Sequence, residues 1–172
     1  PARVLGTAAH LVISSLDLKR PVTFDAIEQT RDRLVREGAI PDDIADRIDV
    51  QGILAFFESD LGRIVCDKRN TVSQEWPFTF GLSACEETAP KLQADSEIIV
   101  VQGVIDLLAQ TPEGLFVIDF KTDRVSGSQI RERAEVYRGQ LELYAKATSA
   151  ICGRPVLERW LHFLTPRAAV RV

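Results

Sequence analysis

Two aspartates and one lysine near the middle of the sequence have the spacing of a cation-binding site. Asp106 interrupts the apolar run 101–108, and Asp119 follows the run 116–118, two residues before Lys121. An unpaired carboxylate is costly to bury, so Asp106 needs a partner within the fold. Asp119 and Lys121 are two residues apart, so on a strand they point to the same face. Two carboxylates that meet beside a lysine suit a hard divalent cation with a charged group next to it.

The same three residues also fit a purely structural interpretation. In that case Lys121 forms an ion pair with one aspartate, and the other aspartate shapes the end of its strand. An aspartate followed later by Asp-x-Lys is only a moderately specific pattern, and spacing alone leaves both interpretations open.

Four other polar residues are candidates by position only. His10 lies among apolar residues of a predicted helix, and Gln140 and Tyr144 are four residues apart on another helix, so they share a face. Without other information each is better explained as a core or surface residue, and the same holds for His162. The sequence has no Ser/His/Asp nucleophile pattern, no GxxxxGK[ST] loop and no GxGxxG loop, which disfavours nucleotide hydrolysis.

Helices are predicted for the first part of the chain, and they must position His10. Apolar residues recur at helical spacing in three stretches, 5–18, 25–36 and 41–58. Thr23 is the expected N-cap of the second helix. Much later, a capping-box spacing at 126–129 opens a long helix that ends at Gly153.

Strands are predicted beyond Gly62, where short β-favouring runs replace the helical pattern. The predicted strands cover 63–67, 72–82, 97–110, 115–121, 156–164 and 168–172. The turn residues Thr111–Gly114 should join two of them as a hairpin that brings Asp106 towards Asp119. Residues 90–95 are expected to form a loop. This order of elements predicts one α/β or α+β domain.

The composition is that of an ordinary soluble globular domain. Of the 172 residues, 45% are hydrophobic and 27% are charged. No apolar run approaches the roughly 20 residues that cross a bilayer, and no signal peptide opens the chain. The sequence contains no Met, so we expect a piece of a longer chain or a processed one.

Cysteine usage and charge narrow the class of protein further. Cys66, Cys85 and Cys152 are too few and too far apart for a disulfide framework or a zinc site, so we expect reduced thiols in a cytoplasmic protein. The net charge of −4 disfavours a free-standing nucleic-acid-binding protein, although it is compatible with an acidic catalytic site. Segment 121–138 is locally basic, and a solvated helix face explains it as well as a phosphate-contacting strip does.

Four short motifs in this sequence resemble the RecB-type nuclease modules of the PD-(D/E)XK superfamily. They are Gly6-Thr-Ala-Ala-His10, Gly103-Val-Ile-Asp106, Asp119-Phe-Lys-Thr-Asp123 and Gly139-Gln-Leu-Glu-Leu-Tyr144-Ala. Three further segments, 55–62, 74–78 and 154–161, resemble the nuclease domains at the C-terminal end of AddA-type helicase–nucleases. The resemblance therefore covers nearly the whole chain, with its motifs in the expected order.

The resemblance implies a fold and a set of site residues. The fold is a restriction-endonuclease-like α/β core, a mixed β-sheet flanked by helices, over 61–172, preceded by a helical segment over 1–60 that carries the histidine motif. The implied metal ligands are His10, Asp106, Asp119 and the backbone carbonyl of Phe120. The implied catalytic residues are Asp106, Asp119 and Lys121, and the residues implied to line the site and hold DNA are Gln140 and Tyr144.

The resemblance also implies a cofactor. Mg²⁺ suits two aspartates and a carbonyl, and the histidine makes Mn²⁺ an alternative. Some RecB-type nucleases carry an iron–sulfur cluster on four cysteines, and we expect none here because the sequence has only three.

The implied function is a divalent-metal-dependent DNA nuclease. It would cut one strand of an unwound DNA end during double-strand break repair by homologous recombination, in the bacterial cytoplasm at the nucleoid and without membrane contact. Its expected partners are DNA, the helicase portion of its own longer parent chain and an AddB-type protein. Two alternatives stay open: an inactive nuclease fold that serves as a DNA-binding or protein-interaction module, and a structural domain with a buried ion pair.

Overall fold

The chain places a group of helices first and then a sheet with one long helix. A computed structural model describes residues 2–83 and 98–172. The helices in these ranges are α1 (Ala2–Ser14), α2 (Phe24–Arg36), α3 (Asp42–Ala45), α4 (Val50–Glu58), α5 (Asp60–Cys66) and α6 (Gln129–Cys152). The strands are β1 (Thr71–Ser83), β2 (Ile98–Gln110), β3 (Leu115–Lys121), β4 (Val156–Phe163) and β5 (Ala168–Arg171). The predicted loop at 90–95 and Cys85 lie outside the described residues.

Two of the predicted elements near the start of the chain are wrong. The stretch 41–58 is two helices, because Asp49 accepts a hydrogen bond from the backbone N of Gly52 at 2.8 Å and so starts α4 afresh. Residues 63–66 of the predicted strand 63–67 belong instead to helix α5, which ends at Cys66. Ser59 caps α5 by accepting a hydrogen bond from the backbone N of Gly62 at 3.2 Å. This cap favours the helix more than the two β-branched residues at 64–65 favour a strand.

The five strands form one mixed sheet in the order β1-β2-β3-β4-β5. β2 and β3 are antiparallel and joined by the predicted turn, in which Thr111 donates from its backbone N to the carbonyl of Gly114 at 2.9 Å. β3 and β4 are parallel, and α6 makes the crossover between them. The predicted mixed sheet flanked by helices, with a helical segment before it, is confirmed.

The sheet opens between β2 and β3. β2 pairs with β1 from Ile98 to Gln110, but the pairing of β2 with β3 ends at Leu107 and Ile118. β3 continues instead along β4 as far as Lys121. We call this opening the fork, and the residues just beyond the last pair, Asp106 and Asp119, lie on its two sides.

Helices cover both faces of the sheet next to the fork. Ile118 and Phe120 are buried in the cluster formed with α1, α2 and α4. Val117 is buried in a second cluster with Ala147 of α6. Side chains alternate along a strand, so Asp119 and Lys121 lie on the α6 side of β3. Among the described residues, no helix is both long and apolar enough to cross a membrane.

Candidate active site

Asp106 joins three elements at the fork. The backbone N of Phe120 donates to its Oδ2 at 2.7 Å, so the carboxylate replaces the missing strand partner of β3. Its Oδ1 lies 3.2 Å from Nδ1 of His10 on α1. The side chain is only 12% exposed, and these two contacts are the partners that its burial requires.

Asp119 faces α6 and is almost completely buried, with 3% of its surface exposed. Nζ of Lys121 lies 2.7 Å from its Oδ2, and Nε2 of Gln140 donates to its Oδ1 at 3.5 Å. Oδ2 is thus ion-paired with the ammonium, and it accepts no hydrogen bond from the other described residues. Burial raises the pKa of Asp119 to about 6; the charge of Asp106 adds to this rise, and Lys121 and His10 offset part of it.

Gln140 connects the lysine to the tyrosine of the same helix. It accepts from Nζ of Lys121 at 3.4 Å and donates from Nε2 to the hydroxyl of Tyr144 at 2.7 Å. The Tyr144 ring packs edge-on against Phe78, with 5.4 Å between centroids. Gly103 makes room for this pair, because a Cβ there would lie 2.7 Å from the Phe78 ring and 3.2 Å from the Tyr144 ring.

Two contacts between α1 and the sheet bring His10 to the fork. Gly6, one turn before His10, lets the helix approach the end of β3, because a Cβ at Gly6 would lie 2.9 Å from Oγ1 of Thr122. Gln74 of β1 donates from Nε2 to the carbonyls of Ile13 at 2.8 Å and Leu16 at 3.2 Å, which fixes the end of the helix.

The charges around His10 determine its protonation. Burial by itself lowers the pKa of His10, but the hydrogen bond and charge of Asp106, followed by the charges of Asp119 and Glu75, raise it above the usual value. In the metal-free protein the imidazole is therefore held more readily as a cation than a histidine in water.

Glu75 is a site residue to which sequence reasoning assigned no role. It lies opposite Asp106, between the strand pairs Gln74–Leu107 and Trp76–Ile105, and its φ of 48° is unusual for a residue with a side chain. Each of His10, Glu75 and Asp106 offers one ligand atom, and these atoms lie within 4.8 Å of one another. Its place in the segment Gln74–Phe78 was a visible signal, but only the β1–β2 register shows that it faces Asp106.

Phe120 and His162 lie behind the site rather than in its opening. The Phe120 ring packs between Phe56, at 4.7 Å between centroids, and His162, at 5.9 Å. His162 is 3% exposed, and neither ring nitrogen finds a hydrogen-bond partner among the described residues. Burial lowers its pKa to about 4, so it is a neutral core residue. The Phe120 carbonyl stays a predicted ligand, and its backbone N–H is what the structure shows in contact with Asp106.

The residues at the fork fit a divalent cation. Carboxylate oxygens are the donors that Mg²⁺ prefers, and an imidazole beside them suits Mn²⁺ as well. The ligand atoms of His10, Glu75 and Asp106 lie within 4.8 Å of one another, and the buried Oδ2 of Asp119 is paired only with the ammonium of Lys121. The carboxylates and the imidazole together therefore form a donor set that suits such an ion.

A mixed sheet that opens at two aspartates, with a lysine two residues after the second, is typical of one class of nuclease. Residues 1–167 match the family described as the PD-(D/E)XK nuclease superfamily, and the chain belongs to this superfamily.

Proteins that are similar in sequence to this chain confirm the predicted resemblance to one component of helicase–nucleases. The chain is 37% identical to the A subunit of the ATP-dependent helicase/nuclease of Carboxydothermus hydrogenoformans over 169 residues, which are 98% of this chain and 14% of that protein. The corresponding proteins of Lacticaseibacillus casei and Bacillus cereus are 35% and 37% identical, over 93% and 97% of this chain and 13% and 14% of their own lengths. The chain thus spans about a seventh of these relatives.

Proposed function

We propose that this chain is a divalent-metal-dependent deoxyribonuclease that hydrolyses phosphodiester bonds in one strand of an unwound DNA end. One observation carries the proposal: Asp106 and Asp119 lie on the two sides of the fork, with His10, Glu75 and Lys121 around them. A structural ion pair would account for Asp119 and Lys121, but it would not account for an additional histidine and glutamate beside Asp106.

Most of the residues at the fork would act as metal ligands. The ligands of Mg²⁺, or alternatively of Mn²⁺, would be His10, Glu75, Asp106, Asp119 and the backbone carbonyl of Phe120. When bound, such an ion acidifies water and offsets the negative charge of a phosphodiester in the transition state.

The α6 side of the site would supply orientation and positive charge. Lys121 would donate hydrogen bonds to the attacking water or to a phosphate oxygen, and its ammonium would stabilise the developing charge. Gln140 would hold the side chains of Lys121 and Asp119 in fixed positions through its hydrogen bonds to both. Tyr144 would line the path of the DNA strand next to Gln140.

We further propose that residues 1–172 form a single nuclease domain of a longer helicase–nuclease. Its relatives carry "helicase/nuclease" in their names, and this chain matches about a seventh of their length. In such a protein the helicase part would unwind a DNA end and feed one strand to the fork, and the partner would be an AddB-type protein. The setting would be recombinational repair of double-strand breaks at the bacterial nucleoid.

The test is cleavage of end-labelled single-stranded DNA by the 172-residue chain with Mg²⁺, with Mn²⁺ and with chelator. We expect metal-dependent cutting by the wild type and none by the Asp119→Ala, Lys121→Ala double variant, because the cation ligand and the adjacent ammonium are both removed. Asp46→Ala, at an exposed position outside the site, is the control and should cut like the wild type. Retained metal-dependent cutting by the double variant would refute the assignment of the site.

Metal titration by calorimetry separates the alternatives if the wild type does not cut. An inactive DNA-binding or interaction module should take up neither Mg²⁺ nor Mn²⁺ specifically. A structural domain should show no rise in melting temperature with metal, and removing both Asp119 and Lys121 should leave its stability unchanged or improved.

A further inference from the structure

Tyr137 lies on α6 one turn before Gln140, and its ring faces the ammonium of Lys121. Nζ of Lys121 is 4.2 Å from the ring centroid. The same Nζ lies 2.7 Å from Oδ2 of Asp119 and 3.4 Å from Oε1 of Gln140. The face of an aromatic ring attracts a cation but cannot take a proton from it. The ring therefore restrains the end of the lysine side chain.

The phenol of Tyr137 is itself held by two charged residues. Arg133, one turn earlier on α6, donates from Nη2 to the phenol oxygen at 3.0 Å, and the hydroxyl donates to Oδ2 of Asp123 at 3.2 Å. Arg133 also donates from Nε to Oδ1 of Asp123 at 2.7 Å, which closes a ring of three hydrogen bonds. We call Asp123, Arg133 and Tyr137 the tyrosine triad. Asp123 comes two residues after Lys121, so the triad connects the end of β3 to α6.

We propose that Tyr137 is a positioning residue for Lys121, and that Asp123 and Arg133 act through it. The inference rests on the proposed function, because the ammonium must be fixed at one point only if Lys121 acts on a phosphodiester. A lysine side chain is long and flexible, and the contacts of Lys121 with Asp119 and Gln140 constrain only its nitrogen. The ring adds a surface against which the end of the chain packs, so the ammonium is in place before DNA arrives.

The kinetic test separates the ring from the hydroxyl. Tyr137→Phe keeps the ring and loses the hydroxyl, whereas Tyr137→Leu loses both. In single-turnover cleavage of labelled single-stranded DNA, we expect Tyr137→Leu to lower the maximal rate by about 10- to 100-fold, because small displacements of a catalytic group are costly. The DNA concentration at half-maximal rate should change little, and Tyr137→Phe should keep most of the rate.

Two arginines of α6 give a control matched in charge. Arg133→Gln breaks the tyrosine triad, and Arg138→Gln breaks only the exposed pair with Glu135, in which Nη2 lies 2.6 Å from Oε1. Both variants remove one positive charge from the same helix, so a difference between them is not an effect of net charge on DNA binding. We expect only Arg133→Gln to lower the maximal rate. Equal rates in the two variants would remove Arg133 from the proposal.

A direct readout of the lysine separates positioning from packing. Labelling with ¹³C at lysine Cε gives signals from five lysines, Lys19, Lys68, Lys91, Lys121 and Lys146. The ring current of Tyr137 should move the Cε proton signals of Lys121 upfield of the others in the wild type and in Tyr137→Phe, but not in Tyr137→Leu. Unshifted Lys121 signals in the wild type would overturn the proposal even if Tyr137→Leu does not fold.

The two proposals fail in different ways. A wild-type chain that shows the upfield shift but neither cuts DNA nor takes up Mg²⁺ or Mn²⁺ would overturn the proposed function. Normal cutting by Tyr137→Leu would overturn only the positioning role, and the nuclease assignment would stand.

Discussion

At the residue scale, protons would compete with the proposed cation for His10 and Asp119. The pKa of Asp119 is raised to about 6, mainly by burial, and the pKa of His10 is raised by Asp106 against the opposing effect of burial. A cation needs the neutral imidazole and the ionised carboxylate. Both groups gain protons as the pH falls from 8 to 6, so metal binding should weaken over that range, and binding near pH 6 should release protons.

Calorimetry with Mn²⁺ at pH 8 and pH 6 measures this effect. At pH 6, buffers with different ionisation enthalpies should give different apparent binding enthalpies, because each released proton is taken up by the buffer. His10→Gln should bind more weakly at pH 8 and depend less on pH. An affinity that is the same at pH 6 and pH 8 would mean that these two residues do not bind the ion.

Residue types and spacing predicted part of this site. Asp106, Asp119 and Lys121 were identifiable because charged residues in apolar strands need partners, and the hairpin turn predicted that the two aspartates meet. Glu75 was not identifiable in this way, because it comes from a third strand and its distance along the chain from Asp106 says nothing about register. Tyr137 was not identifiable either, because an aromatic residue on a half-buried helix face is usually a core residue.

At the element scale, the contact between α6 and β2 depends on a missing side chain. Gly103→Ala would push the new Cβ into the rings of Phe78 and Tyr144. We expect a loss of stability of about 1–3 kcal/mol, the usual cost of overpacking. Cleavage well below the melting temperature should also fall, because Tyr144 holds Gln140 through a 2.7 Å hydrogen bond.

Gly139→Ala is the matched control, measured by the same urea denaturation and cleavage assays. Gly139 is exposed on α6, and a Cβ there would meet nothing within 4 Å. The change should raise stability by about 0.5–1 kcal/mol through helix propensity and leave cleavage unchanged. If Gly103→Ala behaved like Gly139→Ala, the close packing at β2 would have no part in holding the site.

The long elements were predictable, whereas the short helix α5 was not. α6 carries turn signals at both ends, and the hairpin of β2 and β3 carries a clear turn between apolar runs. α5 has only seven residues, and its local composition favoured a strand. What makes it a helix is the Ser59 cap and the burial of Leu61 and Val65, and burial is not visible in a window of a few residues.

At the scale of the whole molecule, the net charge of −4 should limit DNA binding. DNA affinity rests largely on contacts between basic groups and phosphates, and the excess of acidic groups in this chain opposes such contacts. We expect the chain alone to bind single-stranded DNA with a Kd of about 10⁻⁶ M or weaker near physiological salt. Fluorescence anisotropy in chelator, where no strand is cut, would measure this. Tight binding that weakens steeply between 50 and 200 mM salt would contradict the expectation.

The fork gathers its groups from distant parts of the chain, from the first helix, the first strand and the hairpin that follows. Contacts between residues far apart in sequence form late in folding, because the entropy cost of closing a long loop comes before the stabilising contacts are made. A chain still emerging from the ribosome, with α6 not yet synthesised, lacks Gln140 and Tyr144 and cannot assemble the proposed site. Phosphodiester cutting by the proposed nuclease would therefore begin only after α6 has been synthesised and has packed against the sheet.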